Sequence, residues 1–352
     1  MKTRKIIISI LAILFIVSCG TDYRILTTLE RNGKVHREVY SFKNQSGMKN
    51  DTSKNPFLFN IYPDWKITHF DDTVIKYNFF GDTREFRMKI SKDANSIEQY
   101  SREIQCDEEN LSFAAPEESL VKKFRWFYTY YSFETVYKKL KYEVPIPISN
   151  YLNEDEQLLW TQGNMSNYRV SNGSEMYNYL NEINDKFTEW CSRNFFEISI
   201  ESIKKLTIGY DLDSDKEIIY KEIRKAKIND FDITPKEICP VLDSFYKTTY
   251  FSKLYKTNEK TVEKDVKTAT AIISIICNVI SYELVIPDKL IKTDAPIINS
   301  DTLIWKVDGM RLLFDDYTFT AEYRVVNVWA FVIGGLVLIL AVGSVVVLWK
   351  KR

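Results

Sequence analysis

Polar and apolar positions alternate with a period of two at both ends of the chain and with a period near 3.6 in its middle. From Tyr23 to Phe42, two alternating runs flank Asn32-Gly33, a pair that tolerates positive φ and so predicts a β-hairpin. Further strands are predicted over Trp65 to Phe70, Thr73 to Phe80 and Arg84 to Ile90, with Gly81-Asp82 as a turn. Phe124 to Phe133 holds seven aromatics in ten residues, and β-propensity predicts one strand running on toward Tyr142. In that strand Phe124, Trp126, Tyr128 and Tyr130 share one face, and Phe127, Tyr131 and Phe133 the other.

The period then changes. Met176, Leu180, Ile183, Phe187 and Trp190 fall on one helical face after a cap at Ser174. Ser214 with Glu217, and Thr234 with Pro235 and Glu237, read as capping boxes. A shorter helix is predicted from Asn153, and another from Asn258 or Thr261 into Ala269 to Val279. Alternation returns at Tyr282 to Ile286, Thr302 to Trp305, Met310 to Leu313 and Tyr317 to Val325. The predicted class is α+β, with N- and C-terminal antiparallel strands sharing one sheet system and a helical insertion between them.

Both ends carry membrane patterns. Val328 to Trp349 contains no charged residue, and Trp329 and Trp349 stand 20 positions apart. At about 1.5 Å per residue that is roughly 30 Å, the thickness of a bilayer's hydrocarbon core, with an aromatic at each interface. Lys350, Lys351 and Arg352 follow, so the positive-inside rule places this end in the cytoplasm and the preceding body outside. Ala330, Gly334, Val337, Ala341 and Ser344 form a stripe of mostly small residues that could pack against another helix. At the other end, Lys2, Arg4 and Lys5 precede the apolar run Ile6 to Val17, which is short for a span and reads as a targeting segment. It ends in Ile16-Val17-Ser18-Cys19, a lipobox-like sequence that makes Cys19 the expected lipidated N-terminus. A retained apolar helix favours the inner membrane, with the body on its periplasmic face.

The expected organisation is a signal segment at 1–18, a β-rich region at 19–150, a mainly helical region at 151–276 and membrane-proximal strands at 277–327. A transmembrane helix at 328–349 and a basic tail at 350–352 complete it. The sequons at Asn44, Asn50, Asn110, Asn164 and Asn172 matter only in a eukaryotic setting.

Composition narrows the function classes. A chain that is 45% hydrophobic and 14% aromatic can bury a core, which argues against disorder. Its 48 basic residues balance 48 acidic ones, and no basic stripe breaks that balance, so no nucleic acid partner is expected. In an oxidising compartment Cys106, Cys191, Cys239 and Cys277 permit three disulfide pairings, although Cys191 and Cys277 sit among apolar residues where free thiols are common.

Three sets of residues could carry chemistry. Asp211, Asp213, Asp215 and Glu222 imitate the oxygen spacing of a calcium loop, but Lys216 occupies the position that needs glycine and Ile219 one that needs an oxygen. Ser214, Asp215 and Glu217 are equally what a helix N-terminus selects. The aromatic row Phe124, Trp126, Tyr128 and Tyr130 could stack on sugar rings, or simply fill a core. His36 and His69 are the only histidines, and no nucleophile elbow, zinc-protease motif or phosphate loop occurs. No catalytic residue and no cofactor is therefore expected.

Glu283-Leu-Val-Ile-Pro287, Leu303-Ile-Trp305 and the stretch Thr318 to Arg324, set before a C-terminal span, give a layout that resembles uncharacterised bacterial cell-envelope lipoproteins with a membrane-proximal β-module. The resemblance implies a membrane-anchored binding or scaffolding component, with the lipid bilayer as one partner. An envelope protein would be another, met through the helix face or the β-module. A carbohydrate- or lipid-handling role is the alternative; exposure of the aromatic row would favour glycan, and an apolar cavity would favour lipid.

Overall fold

The computed structural model describes residues 22–42, 57, 59, 61, 63–70, 74–103, 116–165, 172–226, 233–270 and 278–350. The signal segment with Cys19, the sequons at Asn44, Asn50 and Asn110, Cys106, Cys277 and the last two residues of the basic tail lie outside them.

In chain order the first elements are β1 (Asp22–Leu29), β2 (Val35–Ser41), β3 (Lys66–His69), β4 (Ile75–Phe79), β5 (Asp82–Phe86), β6 (Met88–Ala94), α1 (Ile97–Glu103), β7 (Glu117–Arg125) and β8 (Tyr128–Tyr137). Five helices follow: α2 (Glu154–Gln162), α3 (Gly173–Lys204), α4 (Leu212–Ala226), α5 (Pro235–Tyr246) and α6 (Tyr250–Ala269). The chain then returns to β9 (Val279–Val285), β10 (Lys289–Thr293), β11 (Ile297–Asn299), β12 (Thr302–Asp308) and β13 (Tyr317–Val326), and ends in α7 (Val328–Lys350). The class is α+β, as the periodicities predict.

Two compact units divide these elements. The β-unit holds Thr21–Leu140, Val279–Asp308 and Asp316–Arg352. Its larger sheet runs β11-β12-β9-β1-β2-β6-β3, so N- and C-terminal strands do share one sheet. They meet at β1 and β9, which pair in parallel, while the neighbouring pairs are antiparallel. A second sheet runs β10-β13-β8-β7. Period-two alternation turns Tyr23, Ile25, Val35, Val39, Trp305 and Leu303 of the first sheet inward. Phe133, Tyr137, Phe319 and Tyr323 line the inner face of the second. The faces meet in aromatic contacts: Phe319 lies 4.5 Å from Trp305 and 5.0 Å from Tyr282 between ring centres.

Local chemistry explains the turns. Gly33 takes φ +93°, closing the β1–β2 loop after Asn32, whose side chain accepts from the Lys34 amide. Phe80 and Gly81 both have positive φ in the two-residue β4–β5 turn, where the backbone twist requires it. The run predicted as one strand from Arg84 to Ile90 divides at Arg87, with β5 pairing β4 and β6 pairing β2.

The helical unit spans Lys141–Asn278 and Gly309–Asp315. Thr234 with Glu237 forms the expected capping box, and Asn153, expected only as a helix start, forms another with Glu156. Two expected caps shift: Asn172, not Ser174, accepts the Glu175 amide at the start of α3, and Asp211 accepts from Ser214 at α4. Each helix starts earlier than expected, and a side-chain oxygen three residues upstream satisfies the orphan amide of its first turn. Helix α6 begins at Tyr250, earlier than expected, with the predicted start at Asn258 marking a kink (φ −115°, ψ 16°). Phe196, Ile200, Ile219, Ile238, Leu242 and Phe251 form the main core here. Met310 to Leu313, expected as a strand, is a turn in which Leu312 and Leu313 are buried. Their apolarity reports burial and not period-two pairing.

Candidate membrane-facing site

The aromatic run is not one strand. It folds back at Trp126-Phe127, so that β7 and β8 form a hairpin with Arg125 opposite Tyr128 and Phe124 opposite Thr129. This inverts the expected faces: Phe124 now shares a face with Thr129 and Tyr131, while Arg125 shares one with Tyr128. Tyr131 and Phe133 are buried in the sheet core, whereas Phe124 (56% exposed), Trp126 (51%) and Phe127 (42%) project at the tip. Tyr128 and Tyr130 are half-buried.

Neither turn residue has positive φ, and neither is Gly, Asn or Pro. The tip is held from a distance by Asn327. Its side-chain Nδ2 donates to the Arg125 carbonyl at 2.9 Å and to the Trp126 carbonyl at 3.1 Å, and its Oδ1 accepts from Thr129 Oγ1 at 2.9 Å. Its backbone amide donates to the Phe127 carbonyl at 2.9 Å, and its carbonyl accepts from the Ala330 amide. Asn327 is also the one residue between β13 and α7, so a single residue joins hairpin, sheet and helix. Replacing it with Ala removes three side-chain hydrogen bonds, each worth about 1 kcal/mol or less at a wet surface. Amide exchange across 124–129 is then expected to speed up roughly tenfold, read by hydrogen-exchange mass spectrometry.

Helix α7 is long and apolar enough to cross a membrane, and its most apolar window is unburied by the rest of the chain. Its first turns pack on the hairpin tip. Trp329 stacks on Phe124 (6.3 Å, 3°) and meets Trp126 edge-on at 5.3 Å, while Phe331 lies 4.8 Å from Phe127 and 5.9 Å from Tyr128. A Cβ on Gly334 would meet the Phe127 ring at 3.5 Å. Ala330 is fully buried, so the first part of the small-residue stripe faces this chain's own β-unit, and Ala341 and Ser344 remain exposed.

Behind the tip lies a charged network between the two sheets. Arg37 and Glu118, buried at 1% and 5% exposure, form a two-pronged pair with N–O distances of 2.8 and 2.7 Å. Arg37 Nε donates to Thr27, its other prong reaches the Tyr282 hydroxyl, and that hydroxyl donates to Glu118 at 2.5 Å. Burial alone would discharge Arg37, but the Coulombic pull of Glu118 outweighs it and holds the guanidinium above its usual range. Burial and then the Glu118 charge push the Tyr282 phenol upward, so it stays a donor. On the outer face of the same sheet, Arg24 pairs with Glu283 at 2.6 Å beneath the β4–β5 ribbon. There burial, and then a hydrogen bond to Glu283, raise the Tyr77 phenol to about 12.

The calcium-like residues do not converge. Asp213, Asp215 and Glu222 lie on helix α4, where nine positions separate Asp213 from Glu222 by roughly 13 Å of rise. Asp213 instead pairs with Lys204 at 2.6 Å, Asp215 accepts from the Tyr246 hydroxyl at 2.5 Å, and Glu222 pairs with Lys225. Asp211 accepts from Ser214 as a helix cap. Among the described residues no group of three His, Cys, Asp or Glu side chains is placed to hold a metal. His36 sits on an exposed strand face 2.7 Å from Asp93.

Cys191 and Cys239 are free thiols. Cys191 lines a small apolar cavity with Tyr142, Trp190 and Phe195, and burial raises both thiols to about 12. At pH 8 each should therefore hold on the order of a thousandfold less thiolate than an ordinary cysteine near 8.5. Iodoacetamide is expected to label them only after denaturation, which peptide mass mapping would read.

Comparison with known proteins adds little to this picture. No protein-family profile matches the chain, and no curated protein matches its sequence. Among solved structures, the folded domain of the Mycobacterium tuberculosis protein LppM aligns over 87% of this chain and 91% of its own, at 8% identity and a TM-score of 0.28. Overlap that low establishes neither a shared fold nor a shared function.

Proposed function

We propose that this protein is a cell-envelope lipoprotein anchored twice, by lipid at Cys19 and by α7, and that it acts as a binding or scaffolding component at a membrane surface. In this reading both units lie on the periplasmic face of the inner membrane and the basic tail is cytoplasmic. The observation that carries it is the joint at Asn327: α7 leaves β13 through one residue whose hydrogen bonds lock it to the β7–β8 hairpin. A stalkless junction of that kind holds the β-unit against the bilayer and suits a protein that presents surfaces near a membrane.

The alternative of a glycan-binding aromatic row is weakened by the same geometry. Tyr128 and Tyr130 of that row are half-buried, and the exposed Phe124 and Trp126 pack on Trp329 at the start of the apolar helix. Mass spectrometry of the mature N-terminus tests the lipid anchor, since a diacylglyceryl adduct on Cys19 is expected and an unmodified peptide containing Cys19 would refute it. Protease added to spheroplasts should digest both units and spare the tail; protection of the units would reverse the topology.

A further inference from the structure

We infer that the β7–β8 hairpin is itself a membrane-contacting element, seating its aromatic tip in the outer leaflet and binding anionic phospholipid headgroups through Lys123, Arg125 and Arg324. The inference rests on the reading of α7 as a membrane span and adds to it a second, non-covalent contact with a stated lipid chemistry.

Depth is the first argument. Gly334 lies six residues beyond Val328, roughly 9 Å along the helix axis. The Phe127 ring reaches that level, at 3.5 Å from where a Gly334 Cβ would be. A side chain packed there is in hydrocarbon whenever the helix is. Phe124, Trp126 and Phe127 form one apolar surface with Val328 (60% exposed), Trp329 (47%) and Phe331 (45%). An exposed patch of this kind marks an interaction site, and its continuity with the span assigns the bilayer as its occupant. Trp and Tyr at this level match an interfacial belt.

Charge is the second argument. Lys123 and Arg125 are exposed on β7, three positions and one position before the turn, a stretch that at about 3.3 Å per residue reaches into the headgroup layer. Arg324 joins them from β13, and Arg125 and Tyr128, like Lys123 and Tyr130, face each other across the hairpin. The guanidinium of Arg324 lies 4.4 Å from the centre of the Tyr128 ring, and that of Arg125 lies 5.7 Å from Tyr130. Among the described residues none of the three cations forms an ion pair, in a chain where most other arginines do. Guanidinium groups placed beside tyrosine rings, with no carboxylate partner, suit phosphate oxygens.

The test uses the full chain reconstituted in vesicles of phosphatidylcholine alone or with a minority of phosphatidylglycerol. The difference in emission between wild type and Trp126→Phe isolates Trp126. Lipids brominated along the acyl chain should quench that difference and aqueous iodide should not; the opposite pattern overturns insertion of the hairpin. Spin-labelled phosphatidylglycerol should be enriched over phosphatidylcholine at the wild-type boundary by about fivefold or more. In Lys123→Gln/Arg125→Gln/Arg324→Gln the enrichment should fall to near parity, while Arg125→Lys/Arg324→Lys should retain it. Equal enrichment in wild type and the glutamine variant overturns headgroup binding, as does no enrichment in either. Protein that leaves the vesicles in an alkaline carbonate wash overturns the span, and the inference with it. Protein that stays, yet exposes Trp126 to iodide, overturns the hairpin alone. Quenching relieved by added soluble glycan would assign the tip to sugar instead.

Discussion

Replacing Glu118 with Gln is expected to destabilise the β-unit by about 3–5 kcal/mol, because it leaves Arg37 as a buried cation with no counter-charge. Arg37 is 1% exposed and sends two N–H groups to Glu118, which joins the smaller sheet to the larger one. A Gln amide can accept one of those bonds but must turn its own donors toward the guanidinium or the Tyr282 hydroxyl, which now donates to Glu118. Chemical unfolding in detergent, followed by tryptophan emission, should show the loss as a lower midpoint with an unchanged slope. Arg37→Met/Glu118→Leu provides the decisive comparison. Removing both charges removes the desolvation cost as well, so the double variant should be more stable than Glu118→Gln alone. If it were less stable than that single variant, the attraction within the network would outweigh the cost of burying its charges.

How much of this was legible in the sequence depends on how far each cause lies along the chain. The capping box at Thr234 and the helix start at Asn153 read correctly because donor and acceptor are three residues apart. Arg37 carried a usable signal: it occupies the inward parity of an alternating strand, between Val35 and Val39, where a charge must be buried and paired. Its partner did not, since Glu118 stands 81 positions away in a strand whose pattern does not alternate cleanly. The hairpin at Trp126-Phe127 was hidden for the same reason. No turn residue marks it, and the hydrogen bonds that hold it come from Asn327, 202 positions beyond Arg125. Seven aromatics without a breaker read as one strand, and only long-range pairing divides them. The acidic run at Asp211 failed in the opposite direction. Its spacing copies a metal loop, but a helix cap at Asp211, lysines beside Asp213 and Glu222, and the Tyr246 hydroxyl at Asp215 each engage a carboxylate the motif would need.

Trp305→Ala should cost about 3–5 kcal/mol, the range for removing a fully buried large aromatic. Trp305 is 0% exposed on β12, stacked at 4.5 Å and 21° on Phe319 of the opposing sheet and edge-on to Tyr282 at 6.3 Å. Its indole N–H donates to Asp294 at 2.9 Å, and the same carboxylate accepts from the Thr320 amide of β13. Truncation therefore opens a cavity between the sheets and takes one bond from a carboxylate that ties the loop after β10 to β13. Trp305→Phe separates the two contributions. It keeps a six-membered aromatic ring between the sheets while losing the N–H and the rest of the indole, so its cost should lie near 1–2 kcal/mol. Thermal unfolding in detergent micelles reads both variants. A Trp305→Ala protein as stable as Trp305→Phe would mean that the sheets close over the gap, and that the inter-sheet core is set by Tyr282 and Phe319 without the indole. Because β13 continues into α7 through Asn327, loosening at Trp305 should also raise amide exchange at the hairpin tip, which couples the inter-sheet core to the joint at Asn327 through one strand.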